Sequence, residues 1–156
     1  MIYNLFLNST TDTPLTNYYS AVSSSNRGQR IYAVDWSFLP PDKKFEVSFR
    51  FASKAGAFTA SDLYFITVDF GPVSTCLSAG SMVRRQNNNI LGILKAQMVS
   101  TTAGDLQLIS LPNENAPILI LGRPTNNFVE VKIMSSPSSQ YNLGSDYILI
   151  LTFKEV

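Results

Sequence analysis

Apolar residues recur at every second position along much of this chain, and a period of two suits only the β-strand, whose successive side chains point to opposite faces. In Phe45-Glu46-Val47-Ser48-Phe49-Arg50-Phe51, the residues Phe45, Val47, Phe49 and Phe51 share one face while Glu46, Ser48 and Arg50 share the other. One face goes to core and the other to water. Phe128-Val129-Glu130-Val131-Lys132-Ile133-Met134 alternates in the same way, with Val129, Val131 and Ile133 inward, and so does Arg30-Ile31-Tyr32-Ala33-Val34-Asp35-Trp36. The stretch from Asn89 to Ser100 can be drawn as a helix, but its β-branched residues and Gly92 favour a strand.

Four further segments are apolar on both faces: Ile2 to Leu7, Leu63 to Phe70, Pro117 to Leu121 and Tyr147 to Phe153. Such strands belong in the middle of a sheet or beneath a neighbouring subunit, because an apolar face left in water invites aggregation. Turn clusters separate the runs, among them Leu39-Pro40-Pro41-Asp42, Gly71-Pro72, Gln86-Asn87-Asn88-Asn89, Leu111-Pro112-Asn113 and Gly122-Arg123-Pro124. Counting the runs gives about nine or ten strands. The polar segment from Ser9 to Gln29 is too long for an ordinary hairpin loop. The expected fold is all-β, a two-sheet antiparallel sandwich, with both ends of the chain in the sheets. About eight core strands so arranged suit a single jelly roll. An immunoglobulin-type sandwich is disfavoured, since the spaced Cys, Trp and Cys of that fold are absent.

With 156 residues and no linker or internal repeat, residues 1–156 read as one domain. Charged residues make up 15%, against roughly 25% in an ordinary soluble domain. Ser, Thr, Asn and Gln must therefore cover much of the outside, a surface poorly defended against association. The net charge of +1 and the scattered Lys and Arg argue against a nucleic-acid partner, which would call for a basic stripe. A lone cysteine, Cys76, rules out an intrachain disulfide and a cysteine metal cluster. No basic and apolar leader opens the sequence, and no apolar run is long enough to span a membrane as a helix. The Asn8-Ser9-Thr10 sequon is read as chance in the absence of a secretion signal.

The chain has no histidine, which removes the commonest general base and the Ser-His-Asp and Cys-His triads. Its acids are too few and too dispersed to nominate the carboxylate pair of a glycosidase. Neither a Ser-x-x-Lys signature nor a glycine-rich phosphate loop occurs. The expectation is a protein without catalytic residues, cofactor or metal. Five residues stand out as a contact surface. Tyr18 and Tyr19 are adjacent rings among hydroxyls, Trp36 is the sole tryptophan, and Arg84 and Arg85 lie at an expected strand end. Trp36 either closes the end of the core with Phe38 or offers a stacking platform to a sugar.

Val34-Asp35-Trp36-Ser37-Phe38-Leu39-Pro40, followed by Phe45-Glu46-Val47-Ser48-Phe49-Arg50-Phe51-Ala52-Ser53, resembles small jelly-roll proteins of large eukaryotic DNA viruses and their virophage-like relatives. The pattern continues through Ile90-Leu91-Gly92-Ile93-Leu94, Arg123-Pro124-Thr125-Asn126-Asn127-Phe128 and Tyr147-Ile148-Leu149-Ile150-Leu151-Thr152-Phe153. The resemblance implies a minor capsid, penton or capsid-surface component of the virion, made in the host cytoplasm. It would assemble with itself, as a pentamer or trimer, or with other capsid proteins. Major capsid proteins of such viruses carry two rolls in a longer chain, so this chain corresponds to a single-roll component. The competing reading is a lectin-like or tumour-necrosis-factor-like module that binds a glycan or receptor. On the alternation alone, Phe49→Asp is expected to bury an unpaired charge and abolish folding, whereas replacing Arg50 leaves the monomer intact.

Overall fold

The structure, a computed structural model, describes residues 1–9, 19–24, 29–54, 56, 58, 64–70, 75–76, 90–98, 106–111, 115, 117–136, 139–140 and 146–156. Within them lie twelve strands: β1 (Ile2–Asn8), β2 (Tyr19–Ser24), β3 (Gln29–Ala33), β4 (Phe45–Ser53), β5 (Tyr64–Asp69), β6 (Thr75–Cys76), β7 (Ile90–Met98), β8 (Leu106–Ile109), β9 (Ile118–Ile120), β10 (Phe128–Ser136), β11 (Ser139–Gln140) and β12 (Tyr147–Glu155). The helical content among the described residues is one 3-10 turn, Trp36–Phe38. The segment from Ser9 to Gln29, expected as one long loop, therefore contains a strand, β2.

The strands form two facing halves of one nearly closed sheet. In the first half β12 lies between β1 and β4, antiparallel to both, and β4 is flanked beyond by β8 at Ala52 and by β9 over Phe45–Val47. In the second, β10 lies between β3 and β5, and β5 pairs with β7. Two strands join the halves. β2 runs parallel to β1 and antiparallel to β3 at one side. β7 serves both halves at the other side, its Ile90–Leu94 portion pairing with β5 and its Lys95–Met98 portion with β8. Closure of this kind satisfies the edge groups that an open sheet would expose. The short strands β6 and β11 extend β9 and β10.

Alternation explains which residues become core. Leu5 and Leu7 on β1, Phe45, Val47 and Phe51 on β4, and Tyr147, Leu149, Leu151 and Phe153 on β12 point inward from the first half. They meet Tyr32, Val129, Val131, Ile133, Tyr64, Ile66 and Val68 from the second. Each such side chain contributes about 1.5–3 kcal/mol by leaving water. Across the core the rings of Phe70 and Phe153 approach to 6.1 Å, and the Tyr32 hydroxyl donates to that of Tyr147 at 3.2 Å.

The β4 pattern departs from expectation at one residue, because Phe49 faces inward yet is only half-buried. The cause lies in the neighbouring strands. Ile109 of β8 sits opposite Ala52 and Ile118 of β9 opposite Val47, and no described strand residue is in register with Phe49 between these points. A carboxylate at position 49 would reach water there. Phe49→Asp is accordingly expected to cost about 2–3 kcal/mol and not to abolish folding, while Leu151→Asp, with no route to water, leaves no folded protein. A second test concerns Gly92, where an added Cβ would lie 2.5 Å from Asn115 Oδ1 and 2.6 Å from Phe49 Cε1. Gly92→Ala should lower the stability measured by urea denaturation by about 1–3 kcal/mol.

Candidate functional site

Of the five residues singled out in the sequence, Tyr18, Arg84 and Arg85 lie outside the described residues. Tyr19 opens β2, opposite Leu7, and is half-buried against the core. Trp36 is 3% exposed. Its indole N–H donates to the Asn126 carbonyl at 2.7 Å, and the rings of Phe153, Phe70 and Phe38 surround it with centroids at 5.8, 5.9 and 6.0 Å. It closes one end of the core, the first of the two readings, and presents no open face for a sugar. Asp35 sets the turn that places it, accepting the Ser37 backbone N–H at 2.9 Å and the Ser37 hydroxyl at 3.0 Å. Those bonds favour the charged carboxylate and hold Asp35 below its ordinary pKa.

The outward faces of the two halves differ in kind. On β10 and its neighbours Lys132 pairs with Glu130 at 3.1 Å, and the Gln29 amide donates to Glu130. On β1, β12 and β4 the outward rows are Ile2–Lys154–Glu46, Asn4–Thr152–Ser48, Phe6–Ile150–Arg50 and Asn8–Ile148–Ala52. Polar members satisfy one another, Thr152 donating to Asn4 Oδ1 at 2.9 Å and Lys154 pairing with Glu46 at 3.5 Å. Among the apolar members Ile2 is 62% and Ile148 36% exposed, and Phe6 and Ile150 are half-buried. These are the strands that read as apolar on both faces.

A groove of about 640 Å³ opens beside this face where the strands next to β4 part. Its lining includes Ser48, Phe49 and Arg50 of β4, Ile109 and Ser110 at the end of β8, and Asn115 and Pro117 before β9. Ser110 ends the pairing by accepting the Phe51 N–H on its hydroxyl at 2.7 Å while its own N–H donates to the Phe51 carbonyl at 3.1 Å. At the far wall the Asn115 side chain takes the place of a strand. Its Oδ1 accepts the Ile93 N–H at 2.8 Å and its Nδ2 donates to the Ile93 carbonyl at 3.2 Å. This amide fills the space that a side chain at Gly92 would need. None of these lining residues was picked out from the sequence as part of a contact surface. The available signal was the pair of prolines, Pro112 and Pro117, bracketing a segment between two apolar runs, since proline cannot donate to a ladder and marks a strand that leaves its neighbour.

Among the described lining residues Arg50 alone carries a charge. Among the described residues the groups whose titration is displaced, Tyr32, Asp35, Tyr147 and Glu155, all lie elsewhere. Among the described residues no group of three or more Cys, Asp or Glu is placed to hold a metal ion, and no helix is long and apolar enough to cross a membrane. The arrangement offers shape, backbone edge and one cation. No protein-family model matches the chain, and no curated protein matches it.

Burial holds the hydroxyls of Tyr32 and Tyr147 well above the ordinary tyrosine value, in the former reinforced by its neighbour. The folded protein thus keeps protons that the unfolded chain releases near pH 10, so their contribution to stability is complete below about 10 and lost as the pH rises further. Asp35 has the opposite sign: its contribution is present above about pH 4 and is lost as the pH falls below. Melting temperatures measured from pH 2 to 11 should fall at both limits. A cooperative rise in phenolate absorbance should accompany the alkaline fall, and Asp35→Asn should shallow the acid one.

Proposed function

We propose that this chain is a single jelly roll and serves as a non-enzymatic structural component of a virion, a minor capsid, penton or capsid-surface subunit that acts through protein–protein assembly. Strand order supports the jelly roll. Taking β1, β3, β4, β5, β7, the interrupted pair β8 and β9, β10 and β12 as eight successive strands, the first pairs with the last, the second with the seventh, the third with the sixth and the fourth with the fifth. The third also pairs with the eighth and the fourth with the seventh. That order arises when one long antiparallel hairpin is wrapped around a core, the double Greek key of a jelly roll.

The observation that carries the assembly reading is the apolar character of the outer face of β1 and β12, on which Ile2 and Ile148 are exposed and Ile150 is half-buried. Monomers seldom leave such a patch to water, and its burial by a second copy returns about 25 cal/mol for each Å² covered. Low charge removes the usual electrostatic barrier to that contact. The virion assignment itself draws on the resemblance carried by residues 34–53. In this reading the chain requires no cofactor, is made in the host cytoplasm and ends in the particle.

Light scattering behind a sizing column, at two ionic strengths, tests the proposal. A closed oligomer, such as a trimer or pentamer of the 17.2 kDa chain, is expected at both, because apolar contacts are not screened by salt. Ile148→Glu combined with Ile150→Glu should give a folded monomer, with the β-sheet circular dichroism unchanged. A wild-type chain that stays monomeric at every concentration tried would reject self-assembly through this face.

A further inference from the structure

We infer that the Asn8-Ser9-Thr10 sequon accepts a glycan only while the chain is unfolded, and that a glycan on Asn8 and the native sheet exclude each other, so the protein folds only where no oligosaccharide donor reaches it. This goes beyond the assembly reading and does not depend on it.

The acceptor is built into the ladder. Asn8 ends β1 and is 4% exposed, and Ser9 beside it is 2% exposed. Strand β12 lies along one edge, with Ile148 opposite Asn8, and β2 along the other, with Ser20 opposite Asn8 in parallel register. Ser9 extends the pairing: its N–H donates to the Tyr147 carbonyl at 3.0 Å and its hydroxyl accepts the Tyr147 N–H at 2.7 Å. A glycosylation acceptor has to lie on a surface loop, where a transferase can bind it and the bulky product can stand in water. Asn8 in the folded protein meets neither condition.

The order of synthesis leaves the acceptor open first. Ser9 and its partner Tyr147 are 138 residues apart, so at about 5–20 residues per second Asn8 waits roughly 7–30 s for β12. Transfer in that interval joins Asn8 Nδ2 to the anomeric carbon of a lipid-pyrophosphate-linked oligosaccharide. The carbon–oxygen bond to the pyrophosphate breaks, the amide gives up one proton, and the lipid pyrophosphate leaves. The sugars must then stay hydrated, because burying their hydroxyls without partners is costly. They hold the end of β1 away from the strands beside it. Leu7 is fully buried next to Asn8, and Tyr147 is 2% exposed with its hydroxyl against that of Tyr32, so this part of the core opens as well.

Translation of the full chain, preceded by a cleavable leader, into microsomes tests the inference. Two controls lack the glycan: the same chain with a competing acceptor tripeptide that blocks transfer, and Thr10→Ala, which removes the sequon and keeps Asn8 and Ser9. The sequence holds no other Asn-x-Ser/Thr, so wild type should gain one glycan, seen as a single mobility shift. Once detergent has opened the membranes, limited proteolysis should cut the glycosylated chain at least tenfold faster than either control, since cleavage follows the open fraction. The purified folded protein, offered the transferase and its lipid-linked donor, should take up no glycan. A glycosylated chain as resistant as the controls, a wild-type chain that leaves the microsomes without a glycan, controls cut as fast as the glycosylated chain, or modification of the folded protein would each overturn the inference. Glycan and protease resistance are read independently of mass in solution, so a monomer or an oligomer by light scattering leaves this inference standing, and its failure leaves the assembly reading standing.

Discussion

Strand β12 is bonded along both edges, to β1 from Ile2 to Asn8 and to β4 from Phe45 to Ser53, and the rest of the fold is arranged around that double ladder. A strand in this position has its backbone donors and acceptors satisfied without water, which allows Tyr147, Leu149, Leu151 and Phe153 to be stripped of solvent on the inward side. It also holds β1 and β4 together, although they are separated in sequence by β2 and β3. Contacts of such long range form slowly and only together, so the sheet stands or falls as a unit.

Register within that ladder does not follow from hydrophobicity. In Tyr147-Ile148-Leu149-Ile150-Leu151 either set of alternate residues would serve as core, and a slip by one residue would exchange them. The polar and aromatic residues decide. Thr152 meets Asn4 and Lys154 meets Glu46 only if Leu149, Leu151 and Phe153 turn inward, and Tyr147 then reaches Tyr32. The consequence is an outer face carrying Ile148 and Ile150, and the same choice of register that completes the core leaves the surface on which assembly is proposed. The groove has a related origin. Where the described pairing beside β4 is interrupted, Phe49 is half-buried, Asn115 stands in for a strand partner of Ile93, and Arg50 lines the groove.

Alternation over Phe45–Phe51 and Phe128–Met134 was enough to read strands, their inward faces and an all-β fold, because period-two burial depends only on local geometry. The strand at Ile90–Met98 was legible for the same reason, with Gly92 and β-branched residues against a helix. Strand β2 was not, since Tyr19–Ser24 is polar and owes its pairing to β1 and β3 on either side. Trp36 read as core end or platform, and only the positions of Phe70, Phe153 and the Asn126 carbonyl decide for core. The groove residues went unread because Ser48, Arg50, Ser110 and Asn115 are ordinary in isolation and become a site through a missing stretch of pairing.

The sequence by itself determined the all-β class, the inward face of the alternating strands, the want of histidine chemistry and the presence of segments apolar on both sides. Those properties are set by residue type and spacing along one strand. Only the tertiary structure decided which apolar face of β12 is core, where the two halves join through β2 and β7, and which residues line the groove beside β4. Each of these depends on partners distant in the chain, whose hydrogen bonds and cross-strand pairs have no signature in any local window.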